Sequence, residues 1–230
     1  MGLLDRLRNR AEIARTQGLR PALRPPVALV PRRRGTTAPL DAAEEGRLRE
    51  RLEHDPNDEV AFKRLADIVR RRAAEGHAAG DPQRAADDAV WALAEEMARN
   101  GRAWFPLLEL GRLSVHEDRD GALRRFATAS ERDASGKALA ESLCILREAG
   151  LANEALGLGV GHWRPREHDP EAGRHLVHAA VDAGRIAEAR RYLESFEQFP
   201  DPERVAGVRA ELERAIAEAD ARPGGGFTQR

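Results

Sequence analysis

Leu107-x2-Leu110-Gly111-x2-Ser114 followed by Ala122-x3-Phe126-x2-Ala129, within residues 105–129 (FPLLELGRLSVHEDRDGALRRFATA), is the stretch on which the fold turns. Both halves keep apolar or small residues at three- and four-residue intervals, the spacing that places side chains on one face of an α-helix. Asp120-Gly121 between them reads as a turn. The segment is therefore a helix, a turn and a second helix.

The same punctuation recurs on both sides. Gly80-Asp81 precedes Ala85, Gly150 precedes Ala155 and Gly184 precedes Ala189, so Ala85, Ala122, Ala155 and Ala189 stand 37, 33 and 34 residues apart. A fixed period of this size marks a repeat array, with each alanine beginning the second helix of a unit. The matching first helices are Phe62-x2-Leu65-Ala66-x2-Val69, Leu139-x2-Ser142-Leu143-x2-Leu146 and Gly173-x2-Leu176-Val177-x2-Ala180. Asp55-Pro56-Asn57-Asp58 before Val60 supplies the side-chain acceptors that cap a helix start. Small side chains at a crossing let paired helices approach, and larger apolar ones fill the gaps between successive pairs. No pair buries its apolar face alone, so at least three must stack.

These residues resemble the tetratricopeptide repeat, whose signature is W-x2-L-G-x2-Y, then A-x3-F, then Pro at a 34-residue period. The resemblance covers roughly residues 58–199, with Ala189-x3-Leu193 as a further second-helix match. It implies an all-α fold: a right-handed α-solenoid of about four helix–turn–helix units with capping helices, occupying residues 41–221. Residues 202–221 supply one cap, opening at Pro202 and placing Val205, Val208, Leu212, Ala215 and Ile216 on one side; residues 41–53, opening at Asp41 with Leu48 and Leu52, supply the other. Two departures stand out. Arg70-Arg71-Arg72 running into Glu75-Gly76-His77 lengthens the first unit, and Gly157, Gly159 and Gly161 weaken the second helix of the third.

Composition agrees with exposed amphipathic helices: 33% of residues are charged and 4% aromatic. Cys144 is the single cysteine, which excludes an internal disulfide and points to the cytoplasm. No apolar run long enough to span a membrane exists. Heavy use of Arg over Lys, with abundant Ala and Gly, points to a GC-rich bacterial genome. The net charge of −1 hides a split. Residues 1–40 hold nine arginines against Asp5 and Glu12, while the remaining 190 residues hold 29 basic and 37 acidic side chains.

Residues 1–40 form a basic amphipathic helix and a Pro/Arg-rich linker, and residues 222–230, with Gly224-Gly225-Gly226, read as a disordered tail. In the arm Leu3, Leu4, Leu7, Ala11 and Ala14 share one helical face, with Arg6, Arg8, Arg10 and Arg15 beside it. Leu3, Leu4, Arg6, Leu7, Arg8 and Arg10 are its candidate contacts with an anionic membrane surface, at the inner face of the membrane. A leader without a fixed structure, or a helix docked back on the acidic body, is the competing reading. Nucleic acid is disfavoured, because residues 1–40 contain no aromatic side chain to stack on a base.

No active site emerges, and no cofactor is implied. His162, His168, His175 and His178 lie within 17 residues, which raises a metal hypothesis, yet no carboxylate stands at the offset of a zinc motif such as H-E-x-x-H. Gly157-Leu158-Gly159-Val160-Gly161 lacks the preceding strand that a phosphate-cradling loop needs. Cys144, among Leu143, Ile145 and Leu146, reads as a small, mostly buried residue.

The resemblance instead implies a protein-binding module, an adaptor, scaffold or assembly factor that holds a peptide or helix in a concave groove lined by its first helices. Carried over residue by residue, the lining is Lys63, Arg64, Asp67, Arg70 and Arg71; Phe105, Glu109, Arg112 and His116; Lys137, Glu141 and Arg147; and Arg174, His175, His178 and Asp182. The mixture leans basic. Some family members clamp a C-terminal carboxylate with a Lys-Asn-Asn-Lys-Arg set. Lys63 and Lys137 match it, but Asp67, Glu109 and Glu141 occupy other positions and repel a carboxylate, so the clamp does not carry over.

Overall fold

The computed structural model describes residues 37–77 and 80–221. The proposed lipid contacts Leu3, Leu4, Arg6, Leu7, Arg8 and Arg10, and the tail from Pro223, lie outside them. Within the described residues the chain is all-helical. The helices are α1 (Thr37–His54), α2 (Glu59–Gly76), α3 (Pro82–Ala98), α4 (Phe105–Ser114), α5 (Arg119–Arg132), α6 (Lys137–Glu148), α7 (Ala152–His162), α8 (Pro170–Asp182), α9 (Ile186–Glu194) and α10 (Pro202–Ala221), with a 3-10 turn at Ser195–Gln198. None is long and apolar enough to cross a membrane.

Each helix packs on its neighbours in sequence, and alternate helices touch as well: α4 on α6, α6 on α8, α8 on α10, and α5 on α7. Phe62 of α2 meets Phe105 of α4 edge to face, with ring centroids 5.4 Å apart, so α2 joins the row of first helices. This neighbour-to-neighbour packing is consistent with an α-solenoid, and one continuous core runs from Leu48 in α1 to Ile216 in α10.

The pattern residues carry that core. Phe62, Leu65, Ala66, Leu110, Gly111, Ser114, Leu139, Ser142, Leu143, Leu146, Gly173, Leu176, Val177 and Ala180 are buried, while Val69 and Leu107 are half-buried. Ala122, Ala155 and Ala189 sit at the fourth position of their helices with no exposure at all. In α3 the neighbouring Ala86 takes that place and Ala85 is only half-buried. Gly111 shows why a small residue is needed: a β-carbon there would stand 2.3 Å from Phe126 Cε1 of the paired helix.

Helix boundaries follow local chemistry. Asp58 accepts from the Ala61 amide and Asp81 from the Arg84 amide, capping α2 and α3 where the Asp-Pro-Asn-Asp and Gly-Asp turns end. Gly150 and Gly184 adopt φ of 74° and 70° after α6 and α8. The Leu151 amide then bonds to Leu146 O, and the Arg185 amide to Ala180 O, closing each helix end in the same way 34 residues apart.

Two boundaries differ from the expectation. α1 begins at Thr37 rather than Asp41, because Pro39 falls in the first turn, where no amide is needed. Asp120-Gly121 is not a turn: α5 starts at Arg119, and Asp118 caps the Gly121 amide as Asp58 and Asp81 cap those of Ala61 and Arg84. Gly157, Gly159 and Gly161 all lie within an unbroken α7, where Gly159 makes room for Leu176 Cδ1. The lengthened first unit is an extended helix, α2 running on to Gly76.

Candidate functional site

The first helices α2, α4, α6 and α8 spend their apolar stripes on the core, which leaves the intervening charged positions facing outward. Lys63, Arg64, Asp67 and Arg71 of α2, Arg112 of α4, His116 just beyond it, Lys137 and Glu141 of α6 and Asp182 of α8 are exposed. Arg70, Glu109, Arg147, Arg174, His175 and His178 are half-buried. Phe105 is the exception. It is 3% exposed, wedged between Phe62 and Trp104, and belongs to the floor beneath the charges rather than to the lining.

At one end of this row Glu59 accepts from two lysines, Lys63 at 3.3 Å and Lys137 at 2.5 Å, and so links α2 to α6 across the start of α4. Each ammonium also lies over an aromatic face, Lys63 at 5.4 Å from the Phe105 centroid and Lys137 at 5.7 Å from that of Trp104. Burial pushes the Glu59 carboxyl up, but Lys137 and Lys63 outweigh it and its pKa is lowered.

In the middle stands Glu109. Burial raises its pKa, and the opposing pull of Arg112, Lys63 and Arg70 does not restore it. Arg112 Nε lies 3.6 Å from its carboxylate, beyond hydrogen-bond distance.

The far end is a chain of ion pairs from helix to helix. Arg147 of α6 donates through Nε to Asp182 at 2.7 Å, with Nη1 3.2 Å from His175 Nδ1. Arg174 bonds to Glu171 at 2.6 Å and to Glu211 of α10 at 3.0 Å, and His178 Nε2 lies 3.3 Å from the same Glu211 oxygen. Burial first, then the charge of Arg147, lowers the His175 pKa to about 4.

The basic lean expected of the face is not what the structure presents. Glu59, Glu171 and Glu211 enter the row, and Asp41 of α1 takes Arg71 at 3.2 Å, so most of the cations are met by carboxylates. Glu59 and Glu171 were legible as partners spaced four and three residues from Lys63 and Arg174. Asp41 and Glu211 come from the end helices and have no local signal.

The histidines are used separately. His168 is buried beside Gly136, where a β-carbon would meet its own, and its pKa is lowered by burial and then by Arg164. Among the described residues no three His, Cys, Asp or Glu side chains form a metal-binding group. Cys144 is half-buried, with Sγ 3.5 Å from Glu148 Oε1, and burial raises its pKa. Two shallow depressions, one lined by Leu107, Gly121, Arg124, Arg125 and Thr128 and the other by Glu50, Arg51, His54 and Asp58, lie away from this row. Compared with known protein families, curated proteins and solved structures, the chain matches none.

Proposed function

We propose that this chain is a non-enzymatic protein-binding module, a right-handed array of tetratricopeptide type that holds a peptide or helix along the face of α2, α4, α6 and α8. One observation carries the reading: charged positions of the first helices share one face, on which Glu59–Lys137 ties α2 to α6, Arg147–Asp182 ties α6 to α8, and Arg174–Glu211 ties α8 to α10. A rigid row of donors and acceptors over an aromatic floor suits a partner segment that carries both charges and backbone groups to bond. Adaptor, scaffold or assembly work in the cytoplasm is the role that fits such a surface.

Arg64 and Arg112 are the side chains to change, because Arg174 also holds α8 to α10. Arg64→Glu with Arg112→Glu is expected to weaken retention of the partner about tenfold or more, equivalent to about 1.4 kcal/mol, with an unchanged thermal melt. Undiminished capture by the folded double variant removes the face from the proposal.

A further inference from the structure

His175 and His178 stand one turn apart on α8 and bond in opposite senses to the two helices flanking it on the charged face. A guanidinium carries only donors, so at 3.2 Å from Arg147 Nη1 the Nδ1 of His175 is an acceptor and the ring is the neutral Nε2–H tautomer. The same Arg147 is held by Asp182 through Nε. His178 faces a carboxylate instead, so its Nε2 donates to Glu211 of α10.

We propose that His175 is an acid-sensitive joint: protonation of Nδ1 turns the acceptor of Arg147 into a second cation beside it and loosens α6 from α8, while His178 keeps α8 on α10. The charged groups around the ring are Arg147 from α6, Glu171, Arg174 and His178 from α8 itself, with Asp182 and Glu211 of α10 one bond further out. α7 and α9 also pack on α8 and contribute no ion pair to it among the described residues. Burial and Arg147 both favour the neutral ring at neutral pH, so the joint is closed there and opens only in acid. Lowering the pH thereby loosens the charged seam between α6 and α8, while the buried core they share keeps the array folded. This device does not depend on which partner the face takes.

Nitrogen-15 spectroscopy of the full chain reads the ring directly. The expected result is an unprotonated Nδ1 at neutral pH and a titration near pH 4 instead of the ordinary 6.5. Amide exchange corrected for its intrinsic pH dependence reads the joint. Opening of the last turn of α6 and of α8 should rise about tenfold between roughly pH 7 and pH 4 in the wild type, and less than about twofold in His175→Gln, whose amide oxygen still accepts from Arg147. Titration of His175 in the ordinary range, or equal acid opening in wild type and His175→Gln, overturns the proposal. Should the glutamine variant not fold, the wild-type tautomer and titration decide alone.

Discussion

Gly111 and Gly157 show how much a single residue's meaning depends on what lies across from it. Both sit inside helices, where glycine costs about 0.5–1 kcal/mol against alanine. At Gly157 a β-carbon meets nothing within 4 Å, whereas at Gly111 it would stand 2.3 Å from a Phe126 ring with no exposure and nowhere to turn. Gly157→Ala is therefore expected to stabilise the protein by about 0.5–1 kcal/mol. Gly111→Ala should destabilise it by about 1–3 kcal/mol, as overpacking does, and part of that loss should return in the Gly111→Ala, Phe126→Leu double variant. Urea denaturation of the four proteins measures both signs. Gly111 was legible because it sits at the small position of a recognisable pattern. The run of Gly157, Gly159 and Gly161 looked uniform in sequence, and only the position of Leu176 across from Gly159 separates its members.

Elements begin and end where local signals said they would when the cap is built from adjacent residues, as with Asp58, Asp81, Gly150 and Gly184. The seams between units are set by groups far apart in the chain. Arg132, at the end of α5, brings one guanidinium nitrogen to the carbonyls of Ala98, Asn100 and Ala103 at 3.1, 3.1 and 2.9 Å, clamping the loop between α3 and α4. Asn57 works from the other side, accepting from the amides of Trp104 and Phe105 at the start of α4. Partners separated by about thirty residues or more leave no local trace, which is why these bolts were not legible. Asp133, by contrast, is a local cap, buried just before α6, where it accepts from the amides of Ser135 and Ala138. Arg132→Met should cost about 1.5–3 kcal/mol by removing a charged donor from the carbonyls. Asp133→Ala should cost about 1–2 kcal/mol as a lost cap. Denaturant midpoints check both, and a change within error at Arg132 would mean that the loop holds itself.

For the whole molecule, stability should follow a pH profile set by buried histidines as well as by carboxylates. The pKa values of His168 and His175 are lowered in the folded state, so unfolding takes up protons as the pH drops below the ordinary histidine value of 6.5. Their contribution is complete above that value and is lost as the pH falls through their folded pKa values, to about 4 for His175. Asp58, lowered chiefly by the Ala61 amide bond, and Glu59 extend the loss to lower pH; Glu109, raised by burial, acts in the opposite direction. The thermal midpoint is therefore expected to decline across roughly pH 6.5 to 4, and His168→Gln with His175→Gln should flatten that part of the curve.

The helical pattern, the core positions and the outward placement of most charged first-helix residues were legible at this scale, because periodicity is written in every unit. The charge balance of the face was not, since it depends on α1 and α10 closing the row. Site-specific photocrosslinking in the native cell shows whether a partner binds on the first-helix face. Benzoylphenylalanine is placed at Arg64, Arg112 or His116 on the first-helix row, and at Arg84 or Arg124 on the exposed second helices. A discrete protein adduct is expected from the first three positions and none from the other two. Adducts confined to Arg84 and Arg124, or formed equally from both faces, would contradict binding on that face.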